Sequence, residues 1–488
     1  MIPNSLAQSF PSHRIAAEGR WGHEIIIQLL GGAGNQAVFN TLGMIVLVLN
    51  GFLFAEFMNV KTRAQRFIVA ALVTLSPIFL EYLSFSIDAF PYAIGDMAAL
   101  LGVIVLARLP AIWPQLAASF ETTPAPFQSA AALASRIPPM AAAIIISAGL
   151  FTIALGIYQP KISLIAILLA FYLLGEFSMQ KLSPMQVAQR IAAAATSFIA
   201  AILTYWISYK LLAVVSDSLG YNRTQVNSIS DMVGHASASY GEIFRLVVGF
   251  VQSISPLTSL SLFILMGSAF VLVALRAFRN GLLQGLFSIA LIALIPVGLR
   301  LTYVINQDTF ADIARAMPSV ALMAAFASAI CLSRFKAVAL IASLIVVWSS
   351  FTVLVQESSA AALKSWHETA MITRIVARVE PLLAQGDQNT LVVIGRPRFD
   401  HSLVVSAPDR PLRPQTKKPA YINYRQIALT NFLLGEERVI SPNAEQRAHA
   451  RRAAAGRAVW PAPTSVFRDG DLIVVLLDEN YQAAEATR

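Results

Sequence analysis

The chain has one cysteine, Cys331, among its 488 residues. This excludes an intrachain disulfide and any centre built from several cysteines. Lying in an apolar run, Cys331 reads as a small buried hydrophobe. Charge is the second shortage: 13% of residues are Asp, Glu, Lys or Arg, against 56% hydrophobic, too apolar for a soluble chain of this length. The histidines (His13, His23, His235, His367, His401 and His449) do not pair at metal-ligand spacing, so no metal site is expected. HExxH, P-loop, GxSxG and dinucleotide-type glycine fingerprints are missing, and "GGAGNQ" at 31–36 lacks the preceding strand and the lysine that phosphate binding needs. No basic region followed by an apolar core and a small-residue cleavage site opens the chain, so no cleavable signal is expected. Neither a solenoid repeat nor an inverted repeat is discernible.

What the chain has instead is apolar length, with a mean hydropathy of +0.64. Crossing a bilayer takes about 20 mainly apolar residues. Segments that qualify lie at 37–57, 67–84, 90–107, 139–157, 160–178, 191–215, 257–275, 281–299, 316–333 and 337–356. Pro77, Pro91 and Pro296 interrupt such runs, which membrane helices tolerate when neighbours satisfy the freed carbonyls. The expected fold class is mainly α, a polytopic membrane protein of ten spans. Three parts follow: an N-terminal loop segment at 1–36, a transmembrane domain at 37–356 and a C-terminal domain at 357–488.

A net charge of +9 suggests nucleic acid in a soluble protein, but here it reads as topology, with no nucleic-acid partner. Of the seventeen Lys and Arg between 58 and 356, eleven fall on one alternating set of loops, which marks the cytoplasmic side. Acidic residues divide the other way: Glu18, Glu24, Glu81, Asp88, Asp217, Asp231, Glu242, Asp308 and Asp312 map outside, and Asp96 lies within the third span. Glu56, Glu121 and Glu176 remain inside. The N-terminal segment and the C-terminal domain both lie outside in this scheme, and chemistry is expected on the outer face.

After residue 357 the pattern changes to a helix, a β-like "TLVVIG", a proline-rich basic loop and "DGDLIVVLL", the marks of a small α/β domain. Its seventeen basic and fourteen acidic residues nearly balance, so it is not a polybasic membrane tether. "EQRAHARRAAAGRA" reads as a solvated helix face, with lipid-headgroup contact as the alternative.

Two outer turns carry candidate chemistry. "FLEYLSFSIDAFPY" places Glu81 and Asp88 around a short turn. A partly desolvated carboxylate there is suited to taking a proton from an attacking hydroxyl; the plainer reading is polar residues that end helices. Asp96, deeper in the span, favours function, because acids inside membranes are costly. "GIYQPKIS" forms a hairpin with Tyr158, Gln159 and Lys161 at its tip: a phenol and an amide for sugar hydroxyls, and an ammonium for phosphate. A belt tyrosine with a snorkelling lysine is the equal alternative. Lys210, Arg300 and Arg315, near other outer span ends, are further candidates for an anionic headgroup, or snorkelling end residues.

"GRW" before the first span, "LSPIFLEYLSFSIDAFPY" across a span end, "YQP" at the hairpin and the late "VWPAPTSVFRDGDLIVVLL" occur in this order. Together they resemble the serotype-converting O-antigen glucosyltransferases, the type II glucosyl transferase family, a GT-C-like membrane group. The resemblance implies transfer of a sugar, glucose in the family, from undecaprenyl phosphate to a surface polysaccharide on the periplasmic side of the bacterial inner membrane. It assigns Arg20 and Trp21, Glu81 and Asp88, and Tyr158 and Gln159 to the matching motifs. It also implies an earlier span and a paired-aspartate motif ahead of "GRW" that this sequence does not carry; Glu18 and Glu24 are the acids left there, ranked below Asp88. The expected base is therefore Asp88, Glu81 or Glu18. Arg20, Lys161, Arg300 and Arg315 are expected to stabilise the leaving phosphate. No cofactor is expected beyond the lipid-linked donor. Two rivals stand beside this reading: a flippase for a lipid-linked sugar, and an inactive shortened transferase.

Overall fold

The computed structural model describes residues 19–30, 36–79, 82, 88–120, 137–215, 226–306, 317–383, 389–395 and 426–477. They fall into two compact units, one ending at Leu354 and the other beginning at Val355.

The first unit is built of helices: α1 (Trp21–Leu29), α2 (Gln36–Phe57), α3 (Arg63–Thr74), α4 (Ala89–Phe120), α5 (Pro139–Ile157), α6 (Lys161–Met179), α7 (Pro184–Val215), α8 (Ile229–Ile254), α9 (Pro256–Asn280), α10 (Leu282–Leu299), α11 (Leu301–Ile305), α12 (Ser319–Leu332) and the start of α13 (Lys336–Val379). Among the described residues, eight helices are long and apolar enough to span a membrane: α2, α4, α5, α6, α7, α9, α10 and α13. The chain is a polytopic, mainly α membrane protein.

Two of the ten expected spans come out shorter. Segment 67–84 contains α3, 12 residues long, which stops at Leu75, just before Pro77 opens a 3-10 turn; the residue ahead of a proline disfavours helix. Segment 316–333 contains α12, of 14 residues. These two helices pack on each other, and α12 is buried along almost its whole length. A helix walled by other helices faces little lipid and need not match the bilayer thickness. Conversely, the connection before residue 257 holds the 26-residue helix α8, capped by Ser228, whose Oγ accepts from the Asp231 amide.

Close helix crossings rest on small residues, as expected where lipid supplies no hydrophobic drive between helices. A Cβ on Gly51 of α2 would stand 2.7 Å from the Ala70 carbonyl oxygen of α3. Hydroxyls link other spans: Thr258 pairs with Ser349 at 2.6 Å and Ser328 with Ser343 at 2.7 Å. At the end of the bundle where basic loops were expected, Glu56 receives Arg108 at 2.7 Å and Arg66 at 3.1 Å, and Glu176 receives Arg190 at 3.2 Å.

The second unit holds the rest of α13, strands β1 (Asn389–Ile394), β2 (Val439–Ile440), β3 (Val466–Asp469) and β4 (Leu472–Leu476), and helices α14 (Gln426–Leu434) and α15 (Ala444–Ala453). The sheet order is β2-β1-β4-β3; β1 runs parallel to β2 and β4, and β3–β4 is a hairpin turning at Gly470, φ +58°. Leu391, Ile473 and Val475 pack with Ile372, Ile375 and Val379 of α13, while Val392, Ile394 and Val474 pack with Ala450 of α15. Burial on both faces explains why these strands read as unbroken apolar runs rather than alternating ones.

Gly51→Val is expected to lose about 1–3 kcal/mol of stability by overpacking against Ala70, with Gly51→Ala losing less. Thermal unfolding of the full chain in detergent checks the order.

Candidate active site

The site grows from "GRWGH". Gly19 adopts φ +80°, and a Cβ there would stand 2.5 Å from the Tyr205 hydroxyl and 2.7 Å from Gln159 Nε2. A glycine is required both by conformation and by space. The Tyr205 hydroxyl of α7 donates to the Gly19 carbonyl at 3.2 Å. Trp21 then lies on Gly156 near the end of α5, where any Cβ would come within 2.4 Å of the indole, and Gly22 lies against the backbone of Gly156 and Ile157. "GRWG" and "LGIYQP" thus interlock through three glycines and one indole.

One turn into α1, His23 reaches the start of α4: its Nε2 is 2.8 Å from Asp88 Oδ1. The His23 side chain is 2% exposed and that of Asp88 16%, so the carboxylate is the more accessible partner. Asp88, Tyr92 and Asp96 follow at intervals of four residues and share one face of α4. Tyr92 stacks on Tyr158 with centroids 4.5 Å apart, meets Tyr82 edge-on at 5.2 Å, and lies 5.9 Å from the His23 ring. The Arg20 guanidinium sits 5.2 Å above the Tyr158 ring.

Beneath the aromatic layer is an ion pair. Lys161 Nζ donates to Asp96 Oδ1 at 2.5 Å and to the Tyr82 hydroxyl at 2.6 Å, and lies 4.6 Å from the Tyr82 ring centroid. Both charged residues are buried. This corrects the expectation of Lys161 at an exposed hairpin tip: Pro160 adopts helical backbone, and the chain turns Lys161 inward onto Asp96. Its ammonium is thereby taken up by Asp96 and the Tyr82 hydroxyl. Tyr158 is likewise buried, beneath Arg20 rather than open at the tip.

Arg300 closes α10, with its guanidinium 5.2 Å from the Tyr303 ring centroid. Thr302 ties the following short helix to the hairpin: its amide donates to Ser163 Oγ at 3.0 Å and its hydroxyl to the Pro160 carbonyl at 3.3 Å. The structure therefore brings Asp88, Arg20, Trp21, Tyr158 and Gln159 into one contact network and ties the Arg300 turn to its hairpin. Glu81, Glu18 and Arg315 lie outside the described residues.

His23, Tyr82 and Tyr92 are the members that reading the sequence for function missed. The repeat Asp88-Tyr92-Asp96 was a usable signal for Tyr92; nothing local marks His23 as the partner of a residue 65 positions away.

Breaking a buried pair from one side leaves an uncompensated charge. Asp96→Asn and Lys161→Met are each expected to cost about 3–5 kcal/mol. The double variant should cost less than the two added together, as read in a thermal-unfolding double-mutant cycle on the full chain.

Residues 7–332 match the family model described as glucosyl transferase GtrII. Neither a curated relative nor a solved structure matches the chain. The family match covers more than half of the sequence and takes in every described residue of the site. The chain belongs to the GtrII glucosyl transferase family, glycosyltransferases of O-antigen modification.

Proposed function

We propose that the chain transfers glucose from a polyprenyl-phosphate carrier to a surface polysaccharide at the periplasmic face of the bacterial inner membrane, with Asp88 as general base. The observation that carries this is the His23–Asp88 pair, in which a buried imidazole holds a carboxylate that keeps some access to solvent. The acceptor hydroxyl gives its proton to Asp88 as its oxygen bonds to the anomeric carbon. The bond from that carbon to the phosphate oxygen breaks, and the electron pair leaves on the phosphate. Arg20 and Arg300 supply positive charge for that leaving group. His23 is a positioning residue, fixing the orientation of the carboxylate. Glu81 and Glu18 are the alternative bases.

The lipid carrier is supported by an apolar cavity of about 300 Å³. Its lining includes Pro77, Ile78, Phe263, Met266, Pro296 and Leu299, and so reaches the residue next to Arg300. A polyprenyl chain in this cavity would leave its phosphate near that arginine. The bias of lysine and arginine toward one set of loops supports the orientation, with Glu56 and Glu176 at the basic end and Asp88 at the other.

The test is glycan analysis of a strain complemented with full-length variants. Asp88→Asn is expected to reduce hexose branching by about 10²-fold or more, within the range general bases contribute. His23→Ala should give a smaller loss, with an altered pH profile, at unchanged protein level. Asp88→Asn and Glu81→Gln that both transfer at the unmodified rate would refute the mechanism.

A further inference from the structure

Helix α8 has three differently composed faces. At about 100° per residue, Met232, Ala236, Ser239 and Ile243 share the first, which is the least exposed and packs on the bundle; Ile243 lines the apolar cavity. Ile229, Val233, Tyr240 and Phe244 form a second, adjoining stripe and are 82%, 67%, 47% and 66% exposed. Asp231, His235, Glu242 and Arg245 lie on the side opposite that stripe, with Arg245 paired to Glu242 at 2.9 Å.

We propose that α8 is an interfacial helix, lying along the bilayer surface with the Ile229–Phe244 stripe in lipid hydrocarbon and the Asp231–Arg245 stripe in water. Two observations commit the apolar stripe to lipid. The Tyr240 hydroxyl donates to the Ala293 carbonyl at 2.9 Å, which sets the stripe against the spanning helix α10, in the turn before Pro296. The stripe thereby continues the exposed apolar surface of the spans on either side, where Leu294 of α10 is 55% and Leu260 of α9 is 56% exposed. A membrane-lying helix is recognised by this division into an apolar and a charged side at low overall hydropathy; α8 is not among the helices apolar enough to span.

The placement also sets the depth of the site. Asn227, just before α8, hydrogen-bonds through its amide to the Ile305 carbonyl at 2.8 Å and through its side chain to the Val304 carbonyl at 2.9 Å. The same short helix α11 is joined by Thr302 to Pro160 and Ser163 of the hairpin. A helix fixed in the headgroup boundary thus fixes the candidate site at that level, whatever reaction the site runs.

The experiment is site-directed spin labelling of the full-length chain in phosphatidylethanolamine–phosphatidylglycerol vesicles. The lone Cys331 makes Cys331→Ala the background. Labels at V233C and F244C should collide several-fold more with oxygen than with a water-soluble nickel chelate, and labels at H235C and E242C should show the reverse order. Equal nickel access at all four positions would overturn the proposal. So would protection of V233C and F244C from both reagents, which would mean that protein, such as a second copy of the chain, covers the stripe. If the cysteine-free background does not fold, Val233→Trp and His235→Trp in the native chain make the same distinction, through quenching by brominated lipid against iodide; equal quenching of both by iodide would again overturn it.

Discussion

A lysine and an aspartate buried away from solvent tie the centre of the site together. Lys161 belongs to the start of α6 and Asp96 to α4, and the Tyr82 hydroxyl shares the same ammonium. Inside a membrane domain neither charge is tolerated alone, so the pair constrains where these elements sit relative to one another. The layer above follows from that constraint. Tyr92 stands one turn before Asp96 and reaches Tyr158, Tyr82 and His23, and Asp88 one turn earlier receives His23.

Charge has different roles at the two ends of the bundle. At one end Glu56 and Glu176 are matched by arginines. At the other end the carboxylate of Asp88 meets the His23 imidazole at 2.8 Å and keeps some contact with solvent.

Much of the architecture was legible because a helix that crosses the hydrocarbon must be apolar over about 20 residues: the runs at 37–57, 139–157 and 160–178 read directly as α2, α5 and α6. The helices inside the runs at 67–84 and 316–333 are shorter than the runs themselves, α3 ending just ahead of Pro77. Hydropathy passed over α8, whose apolar residues form a stripe rather than a run. In the site, motif order pointed to Arg20, Trp21, Asp88 and Tyr158, but pairing was invisible. Lys161 shows why: a lysine opening an apolar run has the same local sequence whether it snorkels outward or turns in, and only the placement of Asp96 on a different helix decides.

The most direct measurement separates donor binding from transfer in the purified full-length chain, using labelled glucosyl polyprenyl phosphate and an O-antigen acceptor. The account predicts that Asp88→Asn retains donor binding while release of polyprenyl phosphate in the presence of acceptor falls by about two orders of magnitude or more. Unimpaired release by Asp88→Asn would contradict it.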